Sequence, residues 1–105
     1  MDIVVTEPSK QNKKFDALIN GKKTIIFGDS NYSDYTKHKD PKRKATYIDR
    51  HKNNERWGKD GIVSAGFWAR YLLWNKKMIK SSVDDINKRY KSLQVKIEKV
   101  IVFFI

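Results

Sequence analysis

"KKFDALINGKKTIIFG", residues 13–28, decides the fold. Two apolar runs, FDALI and KTIIFG, flank Asn20-Gly21, a pair that readily takes the left-handed backbone angles of a tight hairpin turn. Phe15, Ala17 and Ile19 alternate along one strand, while Thr24, Ile25, Ile26 and Phe27 give the other a more apolar, better buried character. Gly28 ends the ribbon. A hairpin therefore stands early in the chain, and the remaining elements have to pack on it.

Upstream, residues 1–12 combine Pro8 with a polar SKQNKK bridge and predict an extended or loosely docked arm. Downstream, Ser33 with Thr36 three residues on predicts a short helical turn over residues 33–39. Asp40-Pro41 is a better start signal, because the Asp carboxylate accepts free N–H groups and proline fits the first helical position without losing a bond. A helix over residues 41–53 follows. Ala45 and Ile48, joined by Tyr47 and the Lys52 methylenes, face inward in it, and Lys42, Arg43, Lys44, Asp49 and Arg50 face water.

Gly58, Asp60 and Gly61 mark a sharply bending loop, with Trp57 as its pin. Ser64 caps the next helix, AGFWARYLLWN, where Phe67, Tyr71 and Trp74 share one face and Trp68 with Leu72 the adjacent one. A helix apolar over most of its circumference is buried, which puts Phe67, Trp68, Tyr71, Leu72 and Trp74 at the centre of the core. Ser81 or Ser82, with Asp84 and Asp85, starts a further helix carrying Val83, Ile86, Tyr90 and Leu93. QVKIEKVIVFFI then predicts a terminal strand, joining the hairpin as its third member, with VIVFFI as a buried strand. The whole is α+β: one small domain, residues 13–105, with an N-terminal β-hairpin, three to four short helices and a C-terminal strand, behind an arm of residues 1–12.

At 105 residues the chain fits one folding unit, and 39% hydrophobic residues supply one core. Cysteine is absent, which excludes disulfides, thiolate catalysis and Cys-based metal centres. The formal charge of +11, from 23 basic against 12 acidic residues, favours an anionic partner: nucleic acid, an acidic membrane leaflet or an acidic protein surface. The opening MDIVVTEPSK lacks the pattern of a secretory signal, and no apolar run reaches the length of a membrane span.

Catalysis is weakly supported. The two histidines, His38 and His51, lie in the basic segment without a nucleophile motif beside them. HKD at His38 has the letters of a phospholipase D motif without its spacing, and HKNN at His51 matches part of a His-Asn nuclease signature without a carboxylate cluster for a metal. The pairs Asp34/His38 and His51/Glu55 fall short of the three or four ligands a zinc site needs, so no metal and no cofactor is expected. PKRK has the form of a nuclear-import signal, a pattern that is common by chance. What remains is a basic contact surface: Lys37, Lys39, Lys42, Arg43, Lys44, Arg50, Lys52, Arg56 and Lys59, with Trp57 as the aromatic nearest to them. Tyr32, Tyr35 and Tyr47 are interleaved. As nucleic-acid contacts these residues would grip phosphates without reading sequence.

The run FGDSNYSDYTKHKDPKRKATYIDRHKNNERW, followed by SAGFWARYLLWNK and DINKRY, resembles a family of small basic proteins encoded by large DNA viruses of algae and protists, the nucleocytoplasmic large DNA viruses. The likeness runs from Phe15 to about Tyr90. It implies a non-enzymatic virion structural protein, a minor capsid component that cements or bridges other capsid proteins, major or minor, through basic surfaces. The implied location is the virion, and the host cytoplasm before assembly. The alternative is a sequence-independent nucleic-acid-binding protein that contacts phosphates through residues 37–52.

Overall fold

The computed structural model describes residues 1–98. The hairpin forms where the sequence places it: β2 (Lys13–Ile19) and β3 (Lys23–Asp29) pair antiparallel, with Ala17 opposite Ile25 and Phe15 opposite Phe27. Asn20 and Gly21 both take positive φ, 52° and 67°, and the Lys22 N–H closes the turn on the Ile19 carbonyl at 3.0 Å. The fold is α+β, with four strands in the order β3-β2-β1-β4 and helices against one face.

The expected arm is a correction. Residues Asp2–Thr6 form β1, an interior strand, antiparallel to β2 on one side and parallel to β4 (Gln94–Ile97) on the other. Ile3 and Val5 are fully buried on its inner face. Five residues are too short to hold a strand by local preference; pairing on both sides supplies what propensity does not. The C-terminal strand likewise joins β1 and not the hairpin. Residues 99–105, which include the whole VIVFFI segment expected as a buried strand, lie outside the described residues.

Two edges bound the sheet. On β4 the edge is closed by Asn87: its amide oxygen accepts from the Val95 N–H at 2.8 Å and its NH₂ donates to the Val95 carbonyl at 3.0 Å, so the side chain stands in for a neighbouring peptide. The other edge is β3.

Helix α1 (Tyr35–His38) is capped by Asp34, in place of the expected Ser33. Asp34 is 1% exposed, accepts from Thr36 N at 2.9 Å, and forms an ion pair with Lys14 of β2. Helix α2 (Pro41–His51) starts on Asp40, which accepts from Lys42 N at 2.9 Å. It ends two residues before the expected point, and none of its residues is fully buried. Ala45 is exposed, while Lys44, expected in water, turns inward to donate to the Asn75 carbonyl at 2.6 Å.

A 3₁₀ turn (Lys59–Gly61) follows, packed so tightly that a Cβ on Gly61 would lie 1.7 Å from the Arg56 carbonyl oxygen. Helix α3 (Ala65–Trp68), capped by Ser64, runs on into a π-helical turn (Ala69–Leu73), closed by Trp74 N–H on the Ala69 carbonyl at 3.1 Å. Phe67, Trp68, Tyr71 and Leu72 are buried. Trp74 is not, because the wider π turn rotates it off the Phe67/Tyr71 face toward α2. Helix α4 (Ile79–Arg89) begins ahead of the expected serines: Ser82 lies inside it, fully buried, accepting from Lys76 N at 3.0 Å. Ile3, Val5, Ala17, Phe27, Phe67, Trp68, Leu72 and Ile86 form the centre of the core between sheet and helices.

Candidate functional site

The basic segment is spread over several elements, and only part of it lines one cleft. Lys37 and Lys39 lie on or beside α1, Lys42 opens α2, and Arg56 and the backbone of Lys59 belong to the loop after α2; the Lys59 side chain is outside what is described. Lys52 is paired with Asp49 at 3.0 Å. Trp57 is half-buried: its carbonyl accepts from the Tyr90 hydroxyl at 3.0 Å, and the Arg70 guanidinium lies 5.6 Å from its ring centroid.

Lys44 belongs to a separate, structural cluster. Burial pushes its ammonium pKa down, helped by the neighbouring charges of Arg70 and Lys76. Asp85 is the counter-ion nearby. Burial opposes its ionisation, but the Asn75 amide, 2.8 Å away, and Arg89 outweigh that and hold its carboxyl below the usual range. These charges tie α2, the π turn and α4 together and are already engaged.

Arg43 and Arg50 are placed differently. They line a cleft of about 640 Å³ between α2, the start of the hairpin, the turn after β3 and the π turn. From α2 come Arg43, Thr46, Tyr47, Arg50 and His51, whose spacing is that of one helical face. Lys14, Asp29 and Tyr32 enter from the hairpin side, and Ala69, Leu73 and Trp74 form an apolar wall. Gly28 sits at the floor with φ of 80°, and a Cβ there would lie 2.9 Å from Leu73 Cδ1, so glycine is needed for both backbone and space.

An aromatic stack buttresses this cleft. The Tyr47 ring lies on Trp74 at 4.3 Å between centroids and 2° between planes, with His51 at 4.4 Å. Trp74 in turn meets His38 at 5.2 Å. Burial, aided by Glu55, pushes the Tyr47 phenol up to about 12, so it is neutral near pH 7. Among the described residues, neither Arg43 nor Arg50 forms an ion pair, whereas Lys14 is held by Asp34. Two guanidiniums without an ion-pair partner among the described residues thus line a cleft with one apolar wall.

The paired histidine and acid candidates do not make centres. The Asp34 carboxylate is taken up by Lys14 and Thr36, and His38 Nδ1 accepts from Asp40 N at 3.0 Å. His51 Nδ1 and Glu55 Oε1 are 3.8 Å apart. Among the described residues no three His, Cys, Asp or Glu side chains group as a metal site would, and no helix is long and apolar enough to cross a membrane.

Of the residues expected to form the contact surface, the cleft gathers Arg43 and Arg50; it adds Lys14, Ser33, Thr46 and His51, and makes lining residues of Tyr32, Tyr47 and Trp74. A signal for the α2 part exists: 43, 46, 47, 50 and 51 follow helical spacing, but a search for the apolar stripe through Ala45 and Ile48 passes over it. Lys14 and Trp74 carry no such signal. A family of unknown function, DUF5754, matches residues 3–51. That span holds β1 to β3, α1 and α2, and so the cleft's cationic side but not its Trp74 wall. No curated protein and no solved structure matches the chain.

Proposed function

We propose that the protein is a non-enzymatic nucleic-acid-binding protein that holds phosphates without reading sequence, through Arg43 and Arg50 on one face of α2. The observation that carries this is the pair of guanidiniums that line an aromatic-buttressed cleft with no ion-pair partner among the described residues, in a chain of net charge +11. Guanidinium forks suit phosphate oxygens, and releasing the counterions condensed on the polyanion supplies the free energy. A salt titration of oligonucleotide binding tests it: affinity falls linearly on a log–log plot, by about 0.7 per contacted phosphate for a single strand. Absence of binding at low salt would sink the proposal.

A second reading is a minor capsid component joining larger shell proteins. It rests on the resemblance to proteins of large DNA viruses, and on the sheet: Asn87 bonds Val95 on one edge while β3 ends the other among the described residues, an edge of the kind a neighbouring chain's strand can extend. Mass spectrometry of purified particles decides it, with many copies per particle expected and occurrence only in infected-cell extract counting against it.

A further inference from the structure

We infer that the cleft is a single-nucleotide subsite, which takes one unpaired base against Tyr32 with its phosphate on Arg43 and Arg50; the protein therefore selects single strands over duplex. This rests on the proposed nucleic-acid reading and deepens it.

The choice of Tyr32 follows from which aromatic faces are occupied. Tyr47 lies between Trp74 and His51, and Trp74 between Tyr47 and His38, so these rings are wall and not platform. Tyr32 also lines the cleft, is 72% exposed, and stacks on no ring among the described residues. Its backbone is nonetheless held. The Tyr32 N–H bonds the Asp29 carbonyl at 3.1 Å, Asp29 Oδ1 accepts from Asn31 N at 2.9 Å, and Ser30 N–H reaches the Asn12 carbonyl at 3.0 Å. A large aromatic left in water on a braced turn is a ready stacking surface, with little ordering left to do on binding.

The shape points the same way. At about 640 Å³ the cleft lies within the range of small-molecule sites, and it combines an apolar wall at Ala69, Leu73 and Trp74 with Arg43, Arg50 and Lys14 and one carboxylate, Asp29. A nucleotide offers a base with π-faces and polar edges beside an anionic phosphate, which matches a cleft that pairs an apolar wall with two guanidiniums. Paired bases in a duplex are stacked on one another and cannot enter such a hollow; single-stranded bases can. Ser33 and Thr46 also line the cleft, with the Thr46 hydroxyl donating to the Lys42 carbonyl at 3.0 Å.

Fluorescence anisotropy with a labelled 12-nucleotide single strand and the duplex of the same sequence, at one salt concentration, tests the subsite. The single strand should bind at least about tenfold more tightly, and Tyr32→Ala should weaken it by about five- to 100-fold, the range for loss of one base–aromatic stack. Tyr32→Phe should keep the affinity, and the duplex should be indifferent to both changes. Equal binding of both polymers with no effect of Tyr32→Ala overturns the subsite and leaves phosphate binding standing. Failure of both polymers to bind at low salt overturns the two together. Because Tyr32 is exposed, circular dichroism of the variants is expected to match the parent and confirms that the readout is binding.

Discussion

Trp68→Ala should lower the unfolding free energy by about 3–5 kcal/mol, the largest loss expected from any single truncation in this core. Trp68 is fully buried, packs edge-on against Phe67 at 4.9 Å, and donates its indole N–H to the Ile62 carbonyl at 2.7 Å. Truncation removes the largest side chain of the core and leaves that carbonyl without its buried partner. Small domains have about 5–15 kcal/mol in total, so the variant should sit near the edge of folding, with its melting temperature lowered by roughly 15 °C or more. Trp68→Phe keeps most of the volume but not the donor and should cost about 1–3 kcal/mol. Urea unfolding of the three proteins checks the order. A Trp68→Ala midpoint within experimental scatter of the parent would show that the helix is not the keystone its burial indicates.

The double change Arg43→Ala/Arg50→Ala should weaken single-strand binding about 25-fold at 0.1 M salt. Counterion release contributes a slope of about 0.7 per contact for a single strand, which at 0.1 M is roughly a factor of five for each of two contacts. The log–log salt slope should become shallower by about 1.4 at the same time. Both side chains project from a helix with no fully buried residue, so stability should move little, within roughly 0.5 kcal/mol per site. Lys52→Ala is the control: Lys52 is already engaged by Asp49, and its loss should leave the slope almost unchanged. If the double variant keeps both affinity and slope, the charge responsible lies elsewhere on the protein.

Much of the architecture was legible because its signals act over a few residues. Asn20-Gly21 adopts positive φ whatever surrounds it, Asp40-Pro41 can cap and start a helix alone, and Ser64 accepts the Phe67 N–H three positions on. The failures share a different cause. Pro8 and the polar bridge masked β1, whose five residues are strand only because β2 and β4 flank them. Regular helical spacing put Trp74 with Phe67 and Tyr71, and the π turn moved it away.

The cleft shows the same division. Arg43, Tyr47 and Arg50 share one helical face because there are 3.6 residues per turn, but the apolar stripe through Ala45 and Ile48 put Tyr47 inward and left Arg43 and Arg50 in water. That this face meets Lys14, Tyr32 and Trp74 depended on the docking of α2 against the end of the π turn, through Tyr47 on Trp74 and Lys44 on the Asn75 carbonyl. By itself, then, the sequence determined the charge, from its composition, and the hairpin and the caps at Asp40 and Ser64, because these follow from local sterics and hydrogen bonding. The place of β1, the rotation of Trp74 and the assembly of the cleft were decided by tertiary structure, because each depends on a partner distant in the chain whose packing free energy outweighs local preference.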